Sequence, residues 1–145
     1  MIPSQSLTPT QIALFFTVQA QYWHDPTEEE TYRKKSIFLA DINNERQPIK
    51  QSYKENLIKL NNLVMVLFTK DSFVQPIESE TFGQYEPGQS SRVIPMEETD
   101  LYKSDRIGLK TLNEQGKIKN HTVVGDHLRF TREWFIDTII KNYLS

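Results

Sequence analysis

Three histidines limit the imidazole chemistry this chain can carry: His24, His121 and His127. His127 stands in the polar segment Gly125-Asp126-His127-Leu128, after the apolar-leaning stretch Ile118 to Val124 and before a last amphipathic pattern. Asp71 follows the apolar run Leu63-Val64-Met65-Val66-Leu67-Phe68 by three positions. An imidazole acts as a general base when one ring nitrogen faces the nucleophile and the other donates to a covered carboxylate. Loops at the carboxyl ends of parallel strands converge on one crevice, so Asp71 and His127 can meet although far apart in sequence. Asp126 is the rival acid. His24 and His121 have no carboxylate or thiolate at ligand spacing, so no metal site is expected.

The elements that must position these residues follow from periodicity. Six consecutive apolar, partly β-branched residues, Leu63 to Phe68, predict a strand covered on both faces, as in a parallel sheet flanked by helices. Ahead of it, Tyr53, Leu57, Ile58 and Leu60 have helical spacing, completing an α-then-β unit and an α/β fold class. Ile118 to Val124 is a second strand, placed nearer a sheet edge by Lys119 and Asn120. Asp105 to Leu112 predicts a short helix, Asn113 to Gly116 a turn, and Pro76 to Pro95 a loop. Thr131 is the expected cap of a final helix whose apolar face is Trp134, Phe135, Ile139, Ile140, Tyr143 and Leu144. The Glu28–Glu30 run predicts a solvated face.

Composition removes whole classes of function. Seventeen Lys and Arg against nineteen Asp and Glu leave a net charge of −2, which offers no positive field for nucleic acid or anionic lipid. The absence of cysteine excludes a disulfide framework, a thiolate metal site and a cysteine nucleophile. No apolar run reaches the roughly 18–20 residues that span a bilayer, so no transmembrane segment is expected. The run Ile12 to Val18 is not preceded by any Lys or Arg, since the first is Arg33, and so is not a convincing signal peptide. It predicts an amphipathic helix from about Thr10 to Tyr22, entered through Thr8-Pro9. At 145 residues the chain is sized for one domain.

A set of ordered blocks carries a family resemblance. They include Val18-Gln19-Ala20, Tyr22-Trp23-His24-Asp25-Pro26, Ser36-Ile37-Phe38-Leu39-Ala40-Asp41-Ile42-Asn43 and Val64-Met65-Val66. Asp71-Ser72, Phe82-Gly83, Gly108-Leu109-Lys110, Gly125-Asp126-His127-Leu128 and Glu133-Trp134-Phe135 follow in order. With these blocks the chain resembles the palmitoyl-protein thioesterases, and specifically their C-terminal half. The resemblance implies the C-terminal portion of an α/β-hydrolase fold with part of a helical insertion. Residues 1–61 would belong to the insertion on the acyl-groove side and 62–145 to the core, together one incomplete domain. It implies hydrolysis of palmitoyl-cysteine thioesters by a Ser-Asp-His triad, with Asp71 as the acid and His127 as the base. Asp126, adjacent to His127, is poorly placed to meet the imidazole edge and is expected to shape the loop.

The same resemblance implies no cofactor, S-palmitoylated proteins or peptides as substrates, and a lysosomal or secretory location. Tyr22, Trp23, Phe38 and Leu39 become candidate lining of the acyl site, with ordinary packing the competing reading of each. Asn120-His121-Thr122 is the sole N-glycosylation sequon, so Asn120 is a candidate modification site. No G-x-S-x-G nucleophile elbow occurs, because none of Gly83, Gly88, Gly108, Gly116 and Gly125 pair at that spacing. The expectation is therefore a truncated thioesterase that holds base and orienting acid without its nucleophile and is inactive in isolation. A non-catalytic remnant or binding fragment is the alternative.

Overall fold

The computed structural model describes residues 22–144, in which three helices precede the first strand. The expected helix from Thr10 lies outside the described residues except for its last position, Tyr22. Helix α1 (Glu29–Lys35) has Glu29 and Glu30 in its first turn and Arg33, Lys34 and Lys35 in its last, which complements the helix dipole at both ends. Two of those acids also pair along the helix, Arg33–Glu29 at 3.1 Å and Lys34–Glu30 at 2.7 Å. The acidic run is thus not wholly solvated: Glu29 is half-buried and also meets His24 at 2.7 Å. Helix α2 (Leu39–Ile42) is a single turn anchored by the fully buried Ala40. Helix α3 (Gln51–Leu57) follows the predicted spacing and stops before Leu60.

Strand β1 (Leu63–Phe68) forms where the apolar run predicted it. It pairs in parallel with β4 (Ile118–Val123), from Leu63↔Ile118 to Phe68↔Val123. Within β1 only Met65 and Phe68 are buried, and the other four residues are half-buried. Among the described residues β4 is the only strand beside β1, so cover is less complete than a doubly packed strand would have. The backbone N–H groups of Leu63 and Thr69 point to β4, donating to Lys117 and Val123. Even-numbered residues of β1, including Phe68, therefore direct theirs to the opposite edge.

Between β1 and β4 the chain is more structured than its proline and glycine content suggested. A 3₁₀ turn, Ile77–Thr81, leads into a two-rung antiparallel hairpin of β2 (Gln84–Tyr85) and β3 (Val93–Ile94). The helix expected over Asp105 to Leu112 forms only from Leu109, as α5 (Leu109–Glu114), and a separate turn, α4 (Asp100–Lys103), precedes it. The break has a backbone cause: Asp105 and Gly108 hold φ of 51° and 94°, which no α-helix accommodates. A Cβ at Gly108 would overlap the Ile58 methyl, so glycine is required there on two counts. Met65, Met96, Leu101, Ile107 and Leu109 form the buried core, with Leu57, Leu63, Phe82, Tyr102 and Ile118 packed against it.

After β4 the chain turns through residues 124–131 into α6 (Arg132–Trp134), which Thr131 caps by accepting the Trp134 N–H at 3.1 Å. The helix then continues as a π-helix over Phe135–Leu144. That winding rotates side chains differently from the α-pattern used for prediction. Trp134, Ile139, Ile140 and Tyr143 are half-buried, whereas Phe135 and Leu144 are exposed. No helix among the described residues is long and apolar enough to cross a membrane.

Candidate active site at the ends of β1 and β4

The parallel register brings the two strand ends level, and both loops leave from the same side. Beyond the last rung, Thr69 donates to the Val123 carbonyl and Lys70 to the Gly125 carbonyl, each at 3.0 Å. This extends the pairing by two residues and carries Asp71 toward the second loop. Asp71 then folds back on its own chain: its Oδ1 accepts the backbone N–H groups of Phe73 at 2.7 Å and Val74 at 2.8 Å. Such Asx-type closure is what short acidic side chains do at the end of a strand. The other carboxylate oxygen, Oδ2, lies 2.6 Å from His127 Nδ1.

The Asp71 side chain is completely covered, while that of His127 is about one-third exposed. Burial by itself would push the Asp71 carboxyl up. The Val74 N–H, the His127 imidazole, the Phe73 N–H and Glu80 outweigh it and pull the group down to about 2. Asp71 is therefore ionised at any pH at which His127 is neutral, and a carboxylate can only accept. Nδ1 must carry the proton, which leaves Nε2 as the basic nitrogen. No hydrogen-bond partner occupies Nε2 among the described residues, and the exposed ring of Phe73 stands 5.5 Å from the imidazole.

Asp126 does something else. Its Oδ1 accepts the Ser72 N–H and Ser72 hydroxyl, both at 2.9 Å, and the His127 N–H at 2.7 Å. One carboxylate thus ties the Asp71 loop to the His127 loop through backbone groups, and these bonds hold it below the usual carboxylate range. Gly125 precedes it because a Cβ there would stand 2.7 Å from the Arg129 carbonyl oxygen.

Glu80, in the 3₁₀ turn, was not singled out from sequence. Its Oε2 accepts the Phe68 N–H at 2.7 Å on the edge of β1 away from β4, and one of its carboxyl oxygens lies within 4.8 Å of an Asp71 oxygen. Burial, and after it the neighbouring Asp71, raise the Glu80 carboxyl against the lowering effect of the Phe68 N–H. No spacing rule exposes such a residue, since its contact depends on a short turn packing against a strand edge.

Asp71, Glu80 and His127 are also the one group of metal-capable side chains within 4.8 Å of one another among the described residues. His127 Nδ1 and Asp71 Oδ2 are engaged with each other, and Glu80 Oε2 with the Phe68 N–H. His24 lies elsewhere, stacked on Tyr32 at 3.8 Å, and His121 is held by the Tyr143 hydroxyl at 2.8 Å.

Two of the four candidate acyl-site residues touch each other. Tyr22 and Phe38 meet edge-to-face at 5.1 Å, Trp23 is exposed beside them in the chain, and Leu39 is half-buried. Beside the Asp71 loop a cleft of about 410 Å³ is lined by Phe73, Gln75, Tyr85, Ser91 and Val93 among others. Asn120 is exposed on β4, opposite Met65 in the register.

Comparison with known proteins identifies the family. The family model described as palmitoyl protein thioesterase matches residues 6–127, a span that includes both Asp71 and His127. Palmitoyl-protein thioesterase 1 of Caenorhabditis elegans is 54% identical over 126 residues, covering 87% of this chain and 42% of the relative. Palmitoyl-protein thioesterase 3 of Dictyostelium discoideum is 42% identical over the same shares. The human lysosomal thioesterase PPT2 is 36% identical over 127 residues, 86% of this chain and 41% of the relative. The chain thus spans about two-fifths of the length of these relatives. With most of its length matched, this chain belongs to the palmitoyl protein thioesterase family.

Proposed function

We propose that this chain supplies the acid–base half of a thioesterase that hydrolyses palmitoyl-cysteine thioesters. The observation that carries the reading is the 2.6 Å contact between His127 Nδ1 and the covered Asp71 carboxylate. In this reading residues 62–145 are the C-terminal part of an α/β-hydrolase core, and the preceding segment is part of a helical insertion facing the acyl chain. Tyr22, Trp23, Phe38 and Leu39 are its acyl-site candidates. The lysosomal names of relatives support a lysosomal or secretory location, in which Asn120 is available for glycosylation.

The chemistry follows from the tautomer. A serine hydroxyl attacks the thioester carbonyl as Nε2 of His127 takes its proton, and Asp71 stabilises the imidazolium that results. The tetrahedral intermediate expels the cysteine thiolate, which receives the proton from Nε2. Water then adds to the acyl-serine, again losing a proton to Nε2, and palmitate leaves as the serine recovers that proton. The proton passes between serine, His127 and the reacting groups, and the protonation states of His127 and Asp71 fit their parts in the cycle.

The test joins this chain, from about Val18, to the portion of the C. elegans relative that it does not match. The chimera should cleave a palmitoyl thioester, and His127→Ala should cut the rate by several orders of magnitude. An active chimera indifferent to His127→Ala would overturn the assignment. A second reading rests on the absence of any G-x-S-x-G in the 145 residues: alone, the chain grips an acylated protein without turning it over. Serine-directed fluorophosphonate probes should then leave the chain unlabelled. Stoichiometric labelling at one serine, abolished by His127→Ala, would show a nucleophile within it.

A further inference from the structure

The triad accounts for one face of the Asp71 carboxylate and the Asx turn for another, yet a second carboxyl stands beside it without a part in the chemistry. Glu80 comes from the 3₁₀ turn Ile77–Thr81, which packs against β1. Its Oε2 takes the Phe68 N–H at 2.7 Å, a group on the strand edge that β4 does not use. One carboxyl oxygen of Glu80, one of Asp71 and a ring nitrogen of His127 lie within 4.8 Å of one another. Two carboxyl groups in contact cannot both be ionised without mutual repulsion, so the pair shares a proton.

We propose that Glu80 is a positioning residue of the acid–base pair: it anchors to the end of β1 through Phe68 and donates a hydrogen bond that fixes Asp71 beneath His127. This rests on the thioesterase reading above. The proton sits on Glu80, because Asp71 already accepts three other hydrogen bonds whereas Glu80 accepts one. The groups acting on Glu80 are consistent with this: Asp71 raises its carboxyl, and only His127 and the Phe68 N–H oppose burial. A neutral Glu80 leaves the Asp71 charge facing the imidazole while removing freedom to rotate about its Cβ–Cγ bond.

Glu80→Gln and Glu80→Ala separate this from a packing role. Glutamine keeps a donor for Asp71 and an acceptor for Phe68 at every pH. In the chimera, Glu80→Ala should lower kcat by about ten- to a hundredfold with KM little changed, the range for loss of an outer hydrogen-bond partner of a site residue. Glu80→Gln should keep most of the rate. The same variants in the 145-residue chain are read by NMR through the hydrogen-bonded Nδ1 proton of His127. That resonance should persist in Glu80→Gln and be lost or broadened in Glu80→Ala.

Glu80→Gln as damaged as Glu80→Ala would show that a carboxylate is needed and overturn the proposal. So would Glu80→Ala with normal kcat and an intact Nδ1 resonance. If His127→Ala is harmless in an active chimera, the thioesterase reading fails, and the Nδ1 resonance alone then decides whether Glu80 orders the pair.

Discussion

Replacing Asp71 by asparagine changes one atom and inverts the logic of the site. Asparagine keeps Oδ1, which accepts the Phe73 and Val74 N–H groups at 2.7 and 2.8 Å, so the loop retains its closure. The altered atom is the one facing His127 Nδ1 at 2.6 Å. An amide NH₂ there donates, so Nδ1 must become the acceptor and the ring proton moves to Nε2. The nitrogen meant to take the serine proton is then already protonated, and the imidazolium loses its counter-charge. Neutralising a triad acid in this way costs roughly 10⁴-fold in kcat. Asp71→Asn in the chimera should show a loss of that size with KM nearly constant. Circular dichroism and the melting temperature should show that the fold survives. A loss below about tenfold, with the variant folded, would refute the tautomer argument. A crippling Asp126→Asn alongside a normal Asp71→Asn would move the orienting role to Asp126.

The remaining expectations concern supporting residues and pH. Asp126→Asn retains an acceptor for Ser72 and the His127 N–H, so it should cost no more than about tenfold in rate, or roughly 1.4 kcal/mol of barrier. Leu109 is fully buried, and Leu109→Ala should destabilise the chain by about 2–5 kcal/mol in urea unfolding. Thr131→Ala removes the acceptor for the Trp134 N–H and should cost about 0.5–2 kcal/mol, seen as a lower melting temperature. Asp71 is held down to about 2 from 3.8, so its contribution is complete above pH 3.8 and is lost as the pH falls toward 2. Asp71→Asn should flatten the melting temperature across that window, and an unchanged acid limb would contradict the assignment.

The features legible in the sequence were those fixed by local pattern. An uninterrupted apolar run is enough to place β1, and the loops after strands are where chemistry gathers, so Asp71 and His127 stood out. Thr131 was legible as a cap because the chemistry of capping is local. Contacts made at a distance were not. Asp105 and Gly108 break a helix that their neighbours would favour, because Asp105 turns back to accept from Thr111 and to pair with Lys54 at 2.7 Å. The hairpin between Pro76 and Pro95 has only two rungs, too few for alternation to register. Glu80 was hidden among six acidic residues from Glu78 to Asp100, and only tertiary packing distinguishes it from the others. The π-winding of Phe135–Leu144 likewise leaves no period that an α-pattern would reveal.

The parallel pairing of β1 with β4 has a consequence for how the site comes into being. Asp71 and His127 are 56 positions apart in the chain, and the strands that carry them cannot be joined by a tight turn. Everything between must be gathered before the first rung forms, which places the pair among the late, non-local contacts of folding. Chain length between the strands matters little to its upkeep, since doubling a closed loop costs only about 0.6 kcal/mol. The exposed turns between β1 and β4 can therefore take added length at little cost, while Met96, Leu101, Ile107 and Leu109 hold the segment to the core and the six-rung register keeps acid and base at the same separation.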